Sequence, residues 1–291
     1  MAKAATPSNK HRLEAIALRL FVTPLMWLPY PARIRFFGGL AQHVLAPLTG
    51  VKNRIRANLA HVFPELPKPE VERLCGAVVN NVARSFIEMM SGSEFARHVA
   101  DTPIDGPGLA ALDEAHAQGR PVVLITGHLG NYDVARVVLR ERGFKIGGLY
   151  APMRNALINR RYVAAIESIG KPMFPRGREG MAAMLRFLRA GGMVGVVIDQ
   201  YMEHGVALDF LGKPAPTALS AAEMALKYNA LVVPGYAIRQ PDGLSFRVYV
   251  EAPVPHSDAV TMTQSLNDSL SAQVRAHMDQ WFWLHQRWFK R

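Results

Sequence analysis

Pro121-Val-Val-Leu-Ile-Thr126 runs directly into Gly127-His128-Leu129-Gly130-Asn131-Tyr132-Asp133, and an amphipathic stretch, Tyr132–Arg142, follows. A short run of aliphatic and β-branched residues, then glycines, then helical periodicity spells a buried strand, a turn and a helix. The alternation recurs downstream: Lys145–Tyr150, Met193–Ile198, Leu231–Tyr236 and Ser245–Val250 read as strands, and Ala156–Ile169, Glu179–Ala190 and Ala215–Tyr228 as helices. Strand and helix signals in alternation predict an α/β fold, a sheet with helices on its faces. Ligands in such sheets sit beyond the carboxyl ends of strands, which is where His128 falls.

Upstream the texture is different. Val51–His61 and Glu70–Met90 carry apolar residues at near-helical spacing, separated by Pro64, Pro67 and Pro69. No low-complexity tract or long linker follows, so residues 1–100 are expected to form a helical, membrane-associated extension continuous with an α/β region over 101–291. At 291 residues, 49% apolar and 20% charged, the chain has ample material for a core and is not disordered. Its one cysteine, Cys75, excludes an internal disulfide framework and a cysteine zinc cluster, and reads as a packing residue on a helix. Met1–Lys10 lacks the features of a secretory signal, so export is not expected.

The net charge of +11 is concentrated. Residues 1–56 hold nine Lys/Arg against a single acid, Glu14. Two uncharged stretches in this region, Leu20–Ala32 and Phe36–Val51, fall short of the ~20 apolar residues of a spanning helix. Basic residues interleaved with Phe21, Leu25, Met26, Trp27, Phe36 and Phe37 instead suit a segment lying in the headgroup layer of an anionic membrane. Trp281–Arg291 contains three of the four tryptophans and no acid. It suits either an apolar/headgroup boundary or a core-docked terminal helix. Nucleic acid is not an expected partner, because the basic residues alternate with bulky aliphatics and prolines and no recognition motif appears.

A histidine and a carboxylate five positions apart lie on different faces of a regular helix, so His128 and Asp133 meet only if the backbone turns between them. Gly127 and Gly130 permit that turn. Asp133 then falls in the first helical turn, where the helix dipole favours an acid. Such a pair suits general-base work, the carboxylate fixing the imidazole tautomer while the other ring nitrogen takes a proton from a hydroxyl. Spacing alone is weak support, since a chain with ten histidines and 23 acids has roughly one such pair by chance, and His204–Asp209 is another. Only His128 follows an apolar strand and has glycines within the motif.

Gly127–Asp133 resembles the His-x4-Asp/Glu signature of the bacterial lipid A biosynthesis (lauroyl/myristoyl) acyltransferases, within the wider glycerolipid acyltransferase group. The resemblance extends over nearly the whole chain. It includes Asn58-Leu-Ala-His-Val-Phe-Pro-Glu-Leu66, Tyr150-Ala-Pro-Met-Arg-Asn155, Asp199-Gln200, Phe210-Leu-Gly-Lys-Pro-Ala-Pro-Thr217 and Trp283-Leu-His-Gln-Arg-Trp288. Asp133 stands where glutamate is common, Tyr132 where tryptophan is common and Gln286 where arginine is common.

The resemblance implies a mixed sheet flanked by helices, and transfer of a fatty acyl chain from acyl carrier protein to a hydroxyl of a lipid A precursor, on the cytoplasmic face of a bacterial inner membrane. His128 is then the general base and Asp133 its orienting acid. Arg178, Arg154, Arg176 and Asn131 are candidates for oxyanion or substrate binding, with Arg178 preferred because Gly177 and Gly180 bracket it. Asp199 is expected to brace the site, and Phe210, Gly212 and Thr217 to line an acyl channel. Neither a metal nor an organic cofactor is expected: the acyl carrier thioester is a co-substrate, and metal-ligand, dinucleotide and P-loop patterns are missing from the sequence. The basic surface would steer the acidic carrier protein and a phosphorylated glycolipid acceptor. Two alternatives stay open: a same-family enzyme acting on another glycolipid such as a phosphatidylinositol mannoside, and a non-catalytic lipid- or nucleic-acid-binding protein.

Overall fold

The computed structural model describes residues 8–289; Lys3, Lys290, Arg291 and most of the Met1–Lys10 stretch lie outside the described residues. From residue 9 to residue 99 the elements are all helical. α1 (Asn9–Leu25) and α2 (Tyr30–Leu40) lead through a π-helical turn, Ala41–Leu45, into α3 (Ala46–Thr49), α4 (Val51–Val62), α5 (Lys68–Ser91) and α6 (Ser93–Val99). Pro67 ahead of α5 and Pro29 ahead of α2 mark helix starts, where a missing N–H costs nothing. Along α5, Leu74, Cys75, Val78 and Ile87 are buried, so Cys75 is a packing residue.

Strands begin at β1 (Ile104–Asp105). The order continues α7 (Leu109–Ala117), β2 (Val122–Thr126), α8 (Asp133–Glu141), β3 (Ile146–Tyr150), α9 (Ala156–Ile169), β4 (Met173–Pro175), α10 (Arg178–Arg189) and β5 (Met193–Val197). Then come β6 (Val206–Phe210), β7 (Lys213–Thr217), α11 (Ser220–Tyr228), β8 (Leu231–Arg239), β9 (Phe246–Val250) and α12 (Ala259–Ala276). The main sheet has the order β1-β9-β8-β2-β5-β3-β4. All neighbours run parallel except β8 and β9, which form an antiparallel pair. Every residue of β2 and β8 is buried, as expected for strands covered on both faces.

Alternate side chains of the sheet feed two cores. Val122 and Leu124 pack with the N-terminal helices and with Val134 and Val138 of α8. Val123, Ile125, Val194 and Val232 pack with Met184 and Leu188 of α10, Ala222 of α11 and Met262 of α12. The N-terminal helices therefore share one continuous core with the sheet.

Two expectations need correction. The helix predicted over Ala215–Tyr228 starts only at Ser220, because Lys213–Thr217 pairs antiparallel with Val206–Phe210 as a separate hairpin. Pro214 and Pro216 lack the N–H a helix interior needs, whereas the alternation of Ala215 and Thr217 inward suits a two-stranded edge. The tryptophan-rich segment docks in the core, but not as a helix: residues 281–289 are irregular, and Trp281 and Trp283 are fully buried, with Trp288 nearly so. Trp281 and Trp283 meet edge-to-face at 4.7 Å, and Phe210 lies 5.5 Å from Trp281, so the aromatics satisfy one another inside the fold.

The N-terminal end behaves differently. No helix among the described residues is long and apolar enough to cross a membrane. Most of the exposed large apolar side chains nevertheless lie between Leu13 and Leu48, led by Trp27 at 81% exposure, with Leu20, Phe21, Phe36 and Leu48 beside it.

Candidate active site

Register brings the site together. Thr126 at the end of β2 pairs with Val197 at the end of β5, so the residues two further on, His128 and Asp199, emerge side by side from adjacent strands. Asp199 Oδ1 lies 2.8 Å from His128 Nδ1, and the backbone N–H of His128 donates to Asp199 Oδ2 at 2.7 Å. Trp281 donates its indole N–H to the same Oδ2 at 2.8 Å. The Asp199 side chain is wholly buried, while the His128 side chain keeps 20% exposure, so the acid is sealed and the imidazole is not. Burial alone would raise the Asp199 carboxyl, but the charge and hydrogen bonds of His128, with His285 behind, hold it well below the usual carboxylate range.

Two glycines make the geometry possible. Gly130 has φ 58° and a Cβ there would stand 1.9 Å from the carbonyl oxygen of Ala237, so no other residue fits. At Gly127 a Cβ would meet the side chain of Leu270 at 2.7 Å and Asp199 Oδ2 at 3.1 Å. The loop is pinned from the other side by residues 280–282: Gly130 N–H donates to the Gln280 carbonyl, Phe282 N–H donates to the His128 carbonyl, and Leu129 bridges to Trp281. Asn58 of α4 in turn donates to the carbonyls of Trp283 and His285. The upstream and terminal motifs thus meet at the back of the site.

Asp133 does not hold the imidazole. It opens α8 as expected, but its Oδ1 accepts from Arg136 at 2.8 Å and 3.1 Å, and both side chains are nearly buried. Arg136 also donates to the carbonyls of Ile166 and Gly170, so Asp133 fixes the arginine that ties down the end of α9. Asp133 still lines the same cavities as His128. The carboxylate that meets the imidazole is that of Asp199, which register, rather than sequence proximity, delivers.

Three cavities converge here. One of about 230 Å³ runs toward α5 past Phe86, Met89 and Phe282. A second, of about 280 Å³, opens past Tyr150, Met153, Arg176 and Gln200. A third, of about 60 Å³, lies inside, between the sheet and α8. His128 walls the first two, and Tyr132 and Asp133 wall all three. The Tyr132 ring stands edge-on to His128 at 5.6 Å, and the His285 ring approaches at 4.6 Å.

Of the three candidate arginines, Arg176 alone walls one of these cavities. Arg154 and Arg178 are exposed and do not wall these three cavities. Gly180 is required for another reason: a Cβ there would collide with the Pro175 carbonyl at 1.8 Å. Asn131 walls the first cavity, but its side chain is committed, donating to Glu88 and accepting from Asp133 N–H. Phe210, Gly212 and Thr217 do not wall the cavities around His128. Phe210 sits under Arg287, Gly212 together with Leu211 takes the positive φ of the β6–β7 turn, and Thr217 accepts from Arg287. Arg287 is completely buried, and burial pushes its guanidinium down to about 10, opposed by the Asp199 charge.

Sequence reasoning missed Trp281 as a partner of Asp199 and the buried ion pair of Arg239 with Glu88, whose oxygens accept at 2.5 and 2.8 Å. That pair joins α5 to the end of β8, and Glu88 also holds Asn131. A charged residue at the end of a fully apolar strand, as Arg239 is, was the available signal.

Comparison with known proteins places the chain in a family. The family profile described as bacterial lipid A biosynthesis acyltransferase matches residues 10–290. The chain belongs to this family and is an acyltransferase. It is 26% identical over 248 residues to a phosphatidylinositol mannoside acyltransferase of Mycobacterium tuberculosis (strain CDC 1551 / Oshkosh), covering 82% of this chain and 78% of the relative. A protein of the same description from Mycolicibacterium smegmatis is 25% identical over 256 residues, 87% of this chain and 84% of the relative. A lipid A biosynthesis acyltransferase of Haemophilus influenzae is 21% identical over 269 residues, 91% of this chain and 84% of the relative.

Proposed function

We propose that this acyltransferase moves a fatty acyl chain from an acyl-carrier-protein thioester to a hydroxyl of a lipid A precursor, with His128 as general base. The observation that carries the reading is the pairing of His128 Nδ1 with buried Asp199, which leaves Nε2 as the ring nitrogen for an acceptor hydroxyl. Nε2 takes the hydroxyl proton as the oxygen bonds to the thioester carbonyl carbon. The tetrahedral oxyanion collapses, the carbon–sulfur bond breaks, and the thiolate leaves with the proton from the imidazolium. Asp199 holds the tautomer and stabilises the imidazolium between these steps. Arg176 is assigned to the carbonyl oxygen or to the donor, being the candidate arginine at a cavity wall.

The acceptor and the carrier reach the site from a membrane surface. The exposed apolar side chains of Leu13, Leu20, Trp27 and Phe36 stand among Lys10, Arg12, Arg19 and Arg35, a combination suited to anionic headgroups. We place the protein on the cytoplasmic face of a bacterial inner membrane, without a metal or organic cofactor. A second acceptor, a phosphatidylinositol mannoside, is favoured by the higher identity to the mycobacterial relatives.

The test is transfer from labelled acyl carrier protein to each acceptor in membranes, comparing the native chain with His128→Ala. Loss of transfer by about 10²–10⁴-fold is expected. Undiminished transfer removes His128 from the mechanism, and the better acceptor identifies the substrate.

A further inference from the structure

Two adjacent strands of the sheet are bare at the same level. Gly148 of β3 and Gly195 of β5 are paired in register, and Gly195 pairs on its other side with Leu124 of β2. Glycine inside a strand weakens it and often marks the close approach of a ligand. Backbone geometry does not require either residue, because neither has a positive φ. Packing does not require them. A Cβ at Gly195 would find only the Gly147 carbonyl oxygen, at 3.8 Å, and one at Gly148 would find only the end of the Met173 side chain, at 3.3 Å. Neighbouring Gly147 is the contrast, since its Cβ would strike the Phe174 ring at 2.9 Å and the Pro172 carbonyl at 3.0 Å.

The space the two missing side chains leave is the inner cavity, roofed by Ala135 and Arg136 of α8 and closed by Met173. Gly195 and Met173 also wall the larger cavity that contains His128, so the dent lies at the inner end of the space beside the base. Its wall is mostly apolar, with Leu124, Ile146, Leu149 and Val197, and the charged pair that borders it, Asp133 and Arg136, is engaged internally, Arg136 donating to Asp133, to main-chain carbonyls and to Met173 Sδ. Hydrocarbon is the chemistry that suits such a floor.

We infer that Gly148 and Gly195 form the floor on which the tail of a saturated acyl chain lies, and that this floor, with Met173 as its end wall, sets the longest chain the protein accepts. The inference rests on the acyl-transfer reading and adds the residues that measure the chain. Val194 and Val196 flank Gly195 in β5, so a valine at 195 suits the strand while filling the dent.

Binding is measured directly on the full-length protein, by displacement of a fluorescent fatty acid with saturated fatty acids of about 8 to about 18 carbons, where each methylene that no longer fits costs about fourfold in affinity. Gly195→Ala and Gly195→Val are expected to shorten the longest tightly bound chain progressively, and Met173→Ala to lengthen it. The Met173→Ala arm keeps the test intact should the valine variant fold poorly. The wild-type length profile in both Gly195→Ala and Met173→Ala overturns the inference, as does absence of fatty acid binding by the native chain. Length-shifted binding without transfer to any acceptor leaves the inference standing and removes the proposed reaction instead.

Discussion

Asp199 grips His128 at two points, the imidazole Nδ1 and the backbone N–H, although the residues are 71 positions apart. One carboxylate therefore sets both the position of the loop and the orientation of the ring. Asp199→Asn is expected to keep the fold and to lower kcat by about 10²–10⁴-fold, because an amide can present the wrong hydrogen-bonding group to Nδ1 and cannot stabilise the imidazolium. Kinetics with saturating acyl donor check this; a change confined to KM would place Asp199 in substrate binding instead.

Asp133→Ala is expected to act on stability. It leaves the Arg136 guanidinium buried beside main-chain carbonyls without its acid. Losing one partner of a buried pair costs about 3–5 kcal/mol. Urea unfolding of the variant should show that loss, and Arg136→Met combined with Asp133→Ala should recover part of it. An unchanged midpoint in the single variant would remove the tethering role.

The depressed Asp199 carboxyl also predicts an acid dependence. A carboxylate whose folded value lies below its unfolded value of about 3.9 contributes stability that is present above that pH and is lost as pH falls toward the folded value. Thermal melts taken downward from about pH 5 should therefore decline more steeply for the native chain than for Asp199→Asn. Parallel declines would show that His128 does not hold the acid in its charged form.

Trp281→Phe retains the ring that packs on Phe210 and Trp283 but removes the donor to Asp199. A hydrogen bond to a charged group is worth about 1.5–3 kcal/mol. The variant should lose stability on that scale and lower kcat without moving the membrane-bound fraction. Full retention of both would leave the indole N–H without a role in the site.

Membrane attachment is checked on the exposed apolar face. Replacing Leu20, Trp27 and Phe36 by serine should move the protein from vesicle pellets of anionic lipid to the supernatant, with little effect on the melting temperature because the replaced side chains are exposed. Retention in the pellet would detach these residues from any lipid contact.

The sheet was legible because its strands are dense apolar runs such as Val122–Thr126 and Leu231–Arg239, buried on both faces. His128 was legible because it follows such a run. The partner acid was not, because pairing across two parallel strands depends on register, whereas spacing along the chain points to Asp133. The register nevertheless left a trace: Asp199 follows Val197 by two residues as His128 follows Thr126. The tryptophan segment stayed undecided in the sequence for a physical reason. Aromatic and basic residues suit both a headgroup layer and a buried cluster with a caged arginine, and composition cannot separate the two until Arg287 is seen over Phe210.

The docking of residues 280–288 behind the His128 loop has a consequence for biosynthesis. A ribosome delivers His128 and Asp199 long before Trp281, so during translation the imidazole and its acid lack the indole that clamps them and the strand-like bridge at Leu129. The pocket around His128 is finished only after synthesis passes this segment, which makes a cut just upstream of position 281 a way to silence the protein without touching its sheet.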